Sequence, residues 1–232
     1  MNDVVTYRDK TVPWVTDVVE VWRYDDDFVH IVSTMPANVA FSPGETIAID
    51  VEPQRGTLRR YTVSKVSAHS FECIAFRTNR GPATPFLDQL KTGDQLSGLG
   101  PERPVKLPTP DMSHVVVMGD ETVMGTAVAV AGAAIGDVSV AVKTSNHLTR
   151  ISALVSSMSV NSLSLDAHSD DDAMMNWLSD VIHQHGVDHL GVFLVGEQSA
   201  NQKLRQLAFA AGLPKEKLAT RTFWRPDKSG LE

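Results

Sequence analysis

Arg59, Tyr61 and Thr62 stand as Arg-x-Tyr-Thr inside the run Leu58–Ser64. The run has the aromatic and β-branched content of a strand. Strand side chains alternate faces, which puts Arg59 and Tyr61 on one side, roughly 6.6 Å apart. A guanidinium can clamp phosphate oxygens through two parallel hydrogen bonds, and a tyrosine face can cover a flat ring. A flavin nucleotide combines those two features. An Arg-x-Tyr pair on a solvated strand satisfies the same spacing, so the motif alone leaves both readings open.

Three further stretches carry polar groups at places where ligands bind. Gly81-Pro82-Ala83-Thr84 opens a short helical pattern, with Thr84 expected as N-cap and Pro85 at the first helical position. Such a start offers backbone N–H groups and a hydroxyl to an anion, or is an ordinary capped helix. Gly119-Asp120-Glu121-Thr122 follows an apolar strand pattern where a nucleotide fold would carry Gly-x-Gly-x-x-Gly. Its two carboxylates would repel a pyrophosphate laid against the turn, so a nucleotide would bind off-centre and use Thr122. Asp120 or Thr122 could equally cap the following helix. Val195-Gly196-Glu197-Gln198 ends a later strand in the corresponding position. Glu197 could contact a nicotinamide or ribose, or be an exposed residue at a helix start.

Other chemistries find little support. The acids Asp25-Asp26-Asp27 lack the glycine and distal glutamate of a calcium loop and suit an exposed turn. His183, His185 and His189 lie near a helix end without the fixed spacing of a metal site. The sequence contains no Gly-x-Ser-x-Gly elbow. Its single cysteine, Cys73, sits in an alternating strand pattern and suits a buried structural thiol. One cysteine excludes an internal disulfide and any thiolate-held iron–sulfur cluster within this chain.

The elements that position these residues fall into two sets. With 232 residues, 42% hydrophobic and 21% charged, the chain can build one large core or two smaller ones. Its formal charge of −7 argues against a general nucleic-acid binder. Six short β patterns fill the first hundred residues and predict a small antiparallel barrel, with the helix after Gly81 across one opening. Four prolines between Gly100 and Pro110 break any helix or central strand and place a boundary there. Beyond it, apolar strands alternate with helices: strands at 114–118, 137–143, 189–195 and 218–224, and helices at 123–135, 170–183 and 198–211. That alternation predicts a doubly wound parallel sheet, open to a ligand at its carboxyl edge. The expected division is a barrel domain over 1–108 and an α/β domain over 109–232. The N-terminal residues show no signal-peptide pattern and no apolar run reaches membrane-spanning length, so a cytoplasmic setting is expected.

Taken in order, Arg59-Arg60-Tyr61-Thr62, Gly81-Pro82-Ala83-Thr84, Gly119-Asp120-Glu121-Thr122, Val195-Gly196-Glu197 and Phe223-Trp224-Arg225 resemble the siderophore-interacting flavoproteins of the ferredoxin-reductase-like superfamily. The resemblance implies an N-terminal barrel that binds FAD and a C-terminal domain that binds NADH or NADPH. The implied activity is reduction of a ferric siderophore, from which the more weakly held ferrous iron leaves. By position, Arg59, Tyr61 and Thr62 match the flavin strand, and Gly81, Ala83 and Thr84 match the phosphate-binding helix start. Thr122 and Glu197 match the nicotinamide side. Trp224 belongs to the ending that closes over the flavin, and Arg225 is placed to help bind an anionic chelate. No catalytic acid or base is required, since the redox chemistry belongs to the cofactor. Two other readings stay open at this point. One is a flavin reductase serving a separate oxygenase or electron carrier. The other is a non-catalytic flavin- or siderophore-binding protein, because Val123-Met124-Gly125 follow Thr122 where the family often has Ala-Leu-Pro.

Overall fold

The computed structural model describes residues 11–24, 27–78, 81–102, 104–144, 156 and 163–226. Asp25 and Asp26 of the acidic turn lie outside the described residues. The chain divides into two compact units, Met1–Pro104 and Val105–Glu232.

In the first unit, β1 (Val12–Tyr24), β2 (Phe28–Thr34), β3 (Thr46–Glu52), β4 (Thr57–Val66), β5 (Ser70–Phe76) and β6 (Gln95–Glu102) close into a barrel. The strand order around it is β1-β2-β5-β4-β3-β6, and every pairing is antiparallel. Closure leaves no unpaired edge, so a barrel of this size fills itself with the inward-facing half of each strand. Trp14, Phe41 and Phe71 meet edge-on at its centre, with ring centroids 4.9–6.0 Å apart. Cys73 is part of this core, and burial pushes its thiol well above the ordinary range. Gly98 lets β6 pass close to β3, since a Cβ there would lie 2.1 Å from the Ala48 carbonyl oxygen.

The helix α1 (Ala83–Gln89) begins two residues before the expected start. Pro82 is its N-cap, without a side-chain capping bond. Thr84 lies inside the first turn, and its hydroxyl donates to the Thr78 carbonyl. The physical reason is that the hydroxyl is drawn back to the loop that precedes it. The helix's other end is closed by a residue distant in sequence: Arg23 Nη2 donates to the carbonyls of Leu87 at 2.9 Å and Leu90 at 2.6 Å. A cation on free C-terminal carbonyls satisfies them and opposes the helix dipole.

The second unit is a five-stranded parallel sheet of order β11-β10-β7-β8-β9. The strands are β7 (His114–Asp120), β8 (Asp137–Lys143), β9 (Leu163–His168), β10 (Leu190–Glu197) and β11 (Leu218–Trp224). Between them lie α2 (Met124–Ala133), α3 (Asp171–His185) and α4 (Gln198–Ala210), with a 3-10 turn at Glu121–Val123. The strand β9 is additional to the expected set. Its alternation of half-buried and exposed residues is the pattern of a sheet edge, weaker than the continuous apolar runs of β7 and β10. Leu178, Val181, Leu204 and Ala208 from α3 and α4 bury themselves against Val116, Met118, Val192 and Leu194 on one face of the sheet. No helix among the described residues is long and apolar enough to cross a membrane.

The three clustered histidines go separate ways. The His185 ring stacks on His114 with centroids 3.9 Å apart, and His189 lies 3.3 Å from the Asp111 carbonyl oxygen.

Candidate functional site

In the barrel, β4 sends its two arginines in opposite directions, as the pleat requires. Arg60 grips Glu102 through Nε, at 3.0 and 2.9 Å from the two carboxylate oxygens. Arg59 makes no ion pair among the described residues, and its Nη1 donates at 2.8 Å to its neighbour's carbonyl at Leu58. Tyr61 rests against the barrel core and is half-buried. Burial and the nearby Cys73 push its phenol up, while the Arg59 charge pulls it down. The electrostatic link between Arg59 and Tyr61 is what a shared face produces. Thr62, next along, is buried.

Around α1, Gly81 is exposed with φ +96° and has open space where a Cβ would stand. Its requirement is therefore the backbone angle and not room for a side chain. Arg77 pairs with Asp88 through Nη2 at 2.9 Å, tying the strand end to the helix; the Arg77 hydrogen bond holds the Asp88 carboxyl down. Ala83 opens the helix beside Gly81.

In the second unit, the carboxyl ends of β7, β8, β10 and β11 converge on an open cleft of roughly 600 Å³. Asp120 sits at its base, only 6% exposed, and both its oxygens are fully engaged. One oxygen accepts from the Thr122 backbone N–H at 2.9 Å and from the Thr122 hydroxyl. The other accepts from the Glu197 backbone N–H at 3.1 Å and from the Trp224 indole at 2.7 Å. A carboxylate has about four acceptor positions, and all are used here. Asp120 is thus a cap and a cross-link. Its charge is spent within the protein, which the bare Asp-Glu sequence did not reveal.

Two glycines beside this carboxylate stand where a Cβ would have no room, and one of them meets the carboxylate itself. Gly196 has φ +110°, and a Cβ there would lie 2.5 Å from an Asp120 oxygen. A Cβ on Gly119 would lie 2.0 Å from the Val195 carbonyl oxygen. The β10–β11 register shifts between Gly196 and Glu197, and this bulge brings Trp224 opposite Glu197.

Above Asp120, ion pairs span the cleft. The Lys143 ammonium lies 2.8 Å from Asp171 and 3.3 Å from Glu197, and Lys203 lies 2.8 Å from Asp171. Burial works to lower the Lys143 pKa, but the Asp171 and Glu197 carboxylates outweigh it and the pKa is raised. Lys143 and then Lys203 hold the Asp171 carboxyl below its ordinary value. Glu197 also accepts from the Ser199 hydroxyl. No motif points to Lys143, Asp171 or Lys203; their only signal is a position at a strand's end or in a helix's first turns.

Several buried polar atoms near this edge have no hydrogen-bond partner among the described residues: the Thr144 hydroxyl, Asn201 Oδ1, His168 Nε2 and Arg225 Nε. Buried polar atoms are otherwise satisfied in folded proteins, so each is a place where a bound group can supply the missing contact.

No family model matches the chain, and no curated protein matches its sequence. Solved structures do. A siderophore-interacting protein from Acinetobacter baumannii matches with TM-score 0.72 and 16% identity, over 94% of this chain and 92% of that one. A siderophore utilization protein from T. fusca matches with TM-score 0.71 and 18% identity, over 96% of each chain. A ferredoxin reductase in carbazole 1,9a-dioxygenase, in an FAD apo form, matches with TM-score 0.75 and 16% identity, over 92% of this chain and 68% of that one. The fold is ferredoxin-reductase-like. At these identities the likeness is one of fold, shared equally by siderophore-interacting proteins and ferredoxin reductases.

Proposed function

We propose that this protein is a flavin-dependent reductase of ferric chelates, with NADH or NADPH as electron donor and a ferric siderophore as acceptor. The observation that carries the reading is the state of β4 within this fold. Arg59 shares a face with Tyr61 and has no ion pair among the described residues, while its neighbour Arg60 is committed to Glu102.

Arg59 would clamp the FAD pyrophosphate, Tyr61 would lie against the flavin ring, and the Thr62 hydroxyl would orient its edge. Gly81, Ala83 and Thr84 would line the phosphate approach. Because the Thr84 hydroxyl proton is already given to Thr78, backbone N–H groups there would be the phosphate donors. When bound, FAD supplies the step from a two-electron donor to a one-electron acceptor such as Fe(III).

On the second unit, Thr122 and Glu197 would hold the nicotinamide. The Thr122 hydroxyl donates to Asp120, which leaves its lone pairs as acceptors for a carboxamide N–H. Glu197, fixed by Lys143 and Ser199, is likewise an acceptor. Trp224 would serve the cofactors as an apolar wall. Arg225, whose Nε is buried without a partner among the described residues, would draw the anionic chelate.

Anaerobic mixing tests the proposal. Protein loaded with FAD should bleach on addition of NADH or NADPH, and then reoxidise on a ferric siderophore with ferrous iron appearing in a chelator trap. Bleaching by neither nucleotide would overturn the reductase reading in favour of a binding protein. Bleaching without iron reduction would point instead to a protein acceptor, the reading that the dioxygenase-reductase likeness favours.

A further inference from the structure

Asp120 is an expensive residue to keep where it is. A carboxylate taken out of water is costly unless hydrogen bonds replace the lost hydration. Here three segments far apart in sequence supply them: Thr122 beside it, Glu197 at the end of β10, and Trp224 at the end of β11. The surroundings are shaped to the charge. Gly196 leaves room for the carboxylate, and the strand bulge at Gly196–Glu197 turns the Glu197 N–H onto it. Trp224 and Glu197, the two residues it grips from the far strands, both line the carboxyl-edge cleft.

We infer that Asp120 is a positioning residue for the nicotinamide nucleotide, acting through Trp224 and Glu197. The inference rests on the reductase reading of the cleft. Its carboxylate holds the indole by Nε1 so that the ring stands as a fixed wall, and it holds the 196–197 turn so that the Glu197 carboxylate stays over Lys143. Both contacts use the same oxygen, so the wall and the acceptor are set together. Fixing groups before the ligand arrives lowers the ordering cost of binding, which is why a buried strut can govern affinity without touching the ligand.

Asparagine is the informative replacement. It has nearly the same shape but presents one oxygen and one NH2 group. Whichever way it turns, the NH2 faces N–H donors, either those of Glu197 and Trp224 or that of Thr122. Asp120→Asn should raise KM for the nucleotide about tenfold, equivalent to about 1.4 kcal/mol, with a smaller change in kcat. Trp224→Phe, which keeps a smaller aromatic ring and removes the indole donor, should raise KM in the same direction. The double variant should show no further rise beyond Asp120→Asn, because both changes break one link.

The ring itself provides a readout independent of turnover. The indole N–H resonance of Trp224, identified by its loss in Trp224→Phe, should move in Asp120→Asn, while those of Trp14, Trp22 and Trp177 stay in place. An unmoved Trp224 resonance, or KM penalties that simply add, would overturn the inference. If neither nucleotide bleaches the wild-type flavoprotein, the reductase reading and the positioning role fall together, whereas the resonance shift still judges the strut alone. Should Asp120→Asn fail to fold, Trp224→Phe decides the matter: an unchanged KM overturns the role.

Discussion

The barrel and the parallel sheet hold their candidate ligand groups in opposite ways. On the barrel, Arg59 leans on its own neighbour's carbonyl and is matched by no acid among the described residues. On the sheet, charged groups of the cleft are committed within the protein: Asp120 to three segments, and Lys143 to both Asp171 and Glu197. The first arrangement stores binding capacity for an anion and relies on the ligand to complete it. The second fixes its geometry in advance and offers acceptors. A tightly kept, phosphate-bearing cofactor suits the former, and a nucleotide that must arrive and leave suits the latter.

The sharpest way to break this contrast is to remove the sheet's strut. Asp120→Ala leaves buried donors at Glu197, Trp224 and Thr122 without an acceptor and should cost about 2–5 kcal/mol of stability, read by urea denaturation. Gly196→Ala should cost about 2–4 kcal/mol by the same measurement, since it joins a left-handed backbone angle to a 2.5 Å clash with the carboxylate. A loss below about 0.5 kcal/mol in both would show that the sheet edge is not pre-set.

On the barrel the expected effect is on ligand and not on fold. Arg59→Ala should weaken FAD by about 1.5–3 kcal/mol, the worth of hydrogen bonds to a charged group, while leaving riboflavin, which lacks the phosphates, nearly unchanged. Equal losses for both would place Arg59 away from the phosphate. Tyr61→Ala should weaken FAD and riboflavin alike by about 1–3 kcal/mol if the ring covers the flavin. Binding titrations of the apoprotein separate the two variants.

The smallest expected difference concerns acid. Burial and then the neighbouring His185 hold His114 below the ordinary imidazole value of 6.5, and burial does the same to His168. A depressed folded pKa means stability that is full above that value and is lost as pH falls through the folded one. The barrel's corresponding group is Glu72, lowered by its hydrogen bond from His30, so its contribution persists until pH falls below the ordinary carboxylate value of 4.5. Between pH 6.5 and 5, protection against hydrogen exchange, taken relative to the intrinsic rate at each pH, should therefore fall in β7 and β9 before it does in β2 and β5. Equal loss of protection in both units would remove the distinction.

Much of this molecule could be read from its residues in order. The two-residue period of the barrel strands and the unbroken apolar runs of Val115–Met118 and Leu190–Val195 are local signals, and local sterics and burial convert them directly into strands. The prolines from Pro104 to Pro110 marked a break because ring geometry forbids regular structure there, whereas Pro101 lies within β6. The start of α1 was misplaced by two residues: a hydroxyl at Thr84 looked like a cap, but the preceding loop offered it a nearer acceptor at Thr78. The edge strand β9 escaped notice because only one of its faces is shielded.

The sequence alone also determined which residue types stand at the strand ends, and so which chemistry is available: a cation and an aromatic on β4, acids and a hydroxyl after β7, an acid after β10. It could not determine which of those groups are spent. Asp120 beside Glu121 read as repulsion toward a phosphate. The fold instead buries Asp120 beneath donors from residues 77 and 104 positions further along. Hydrogen bonding at that range depends on where three strands end relative to one another, a property of sheet register that no local pattern carries.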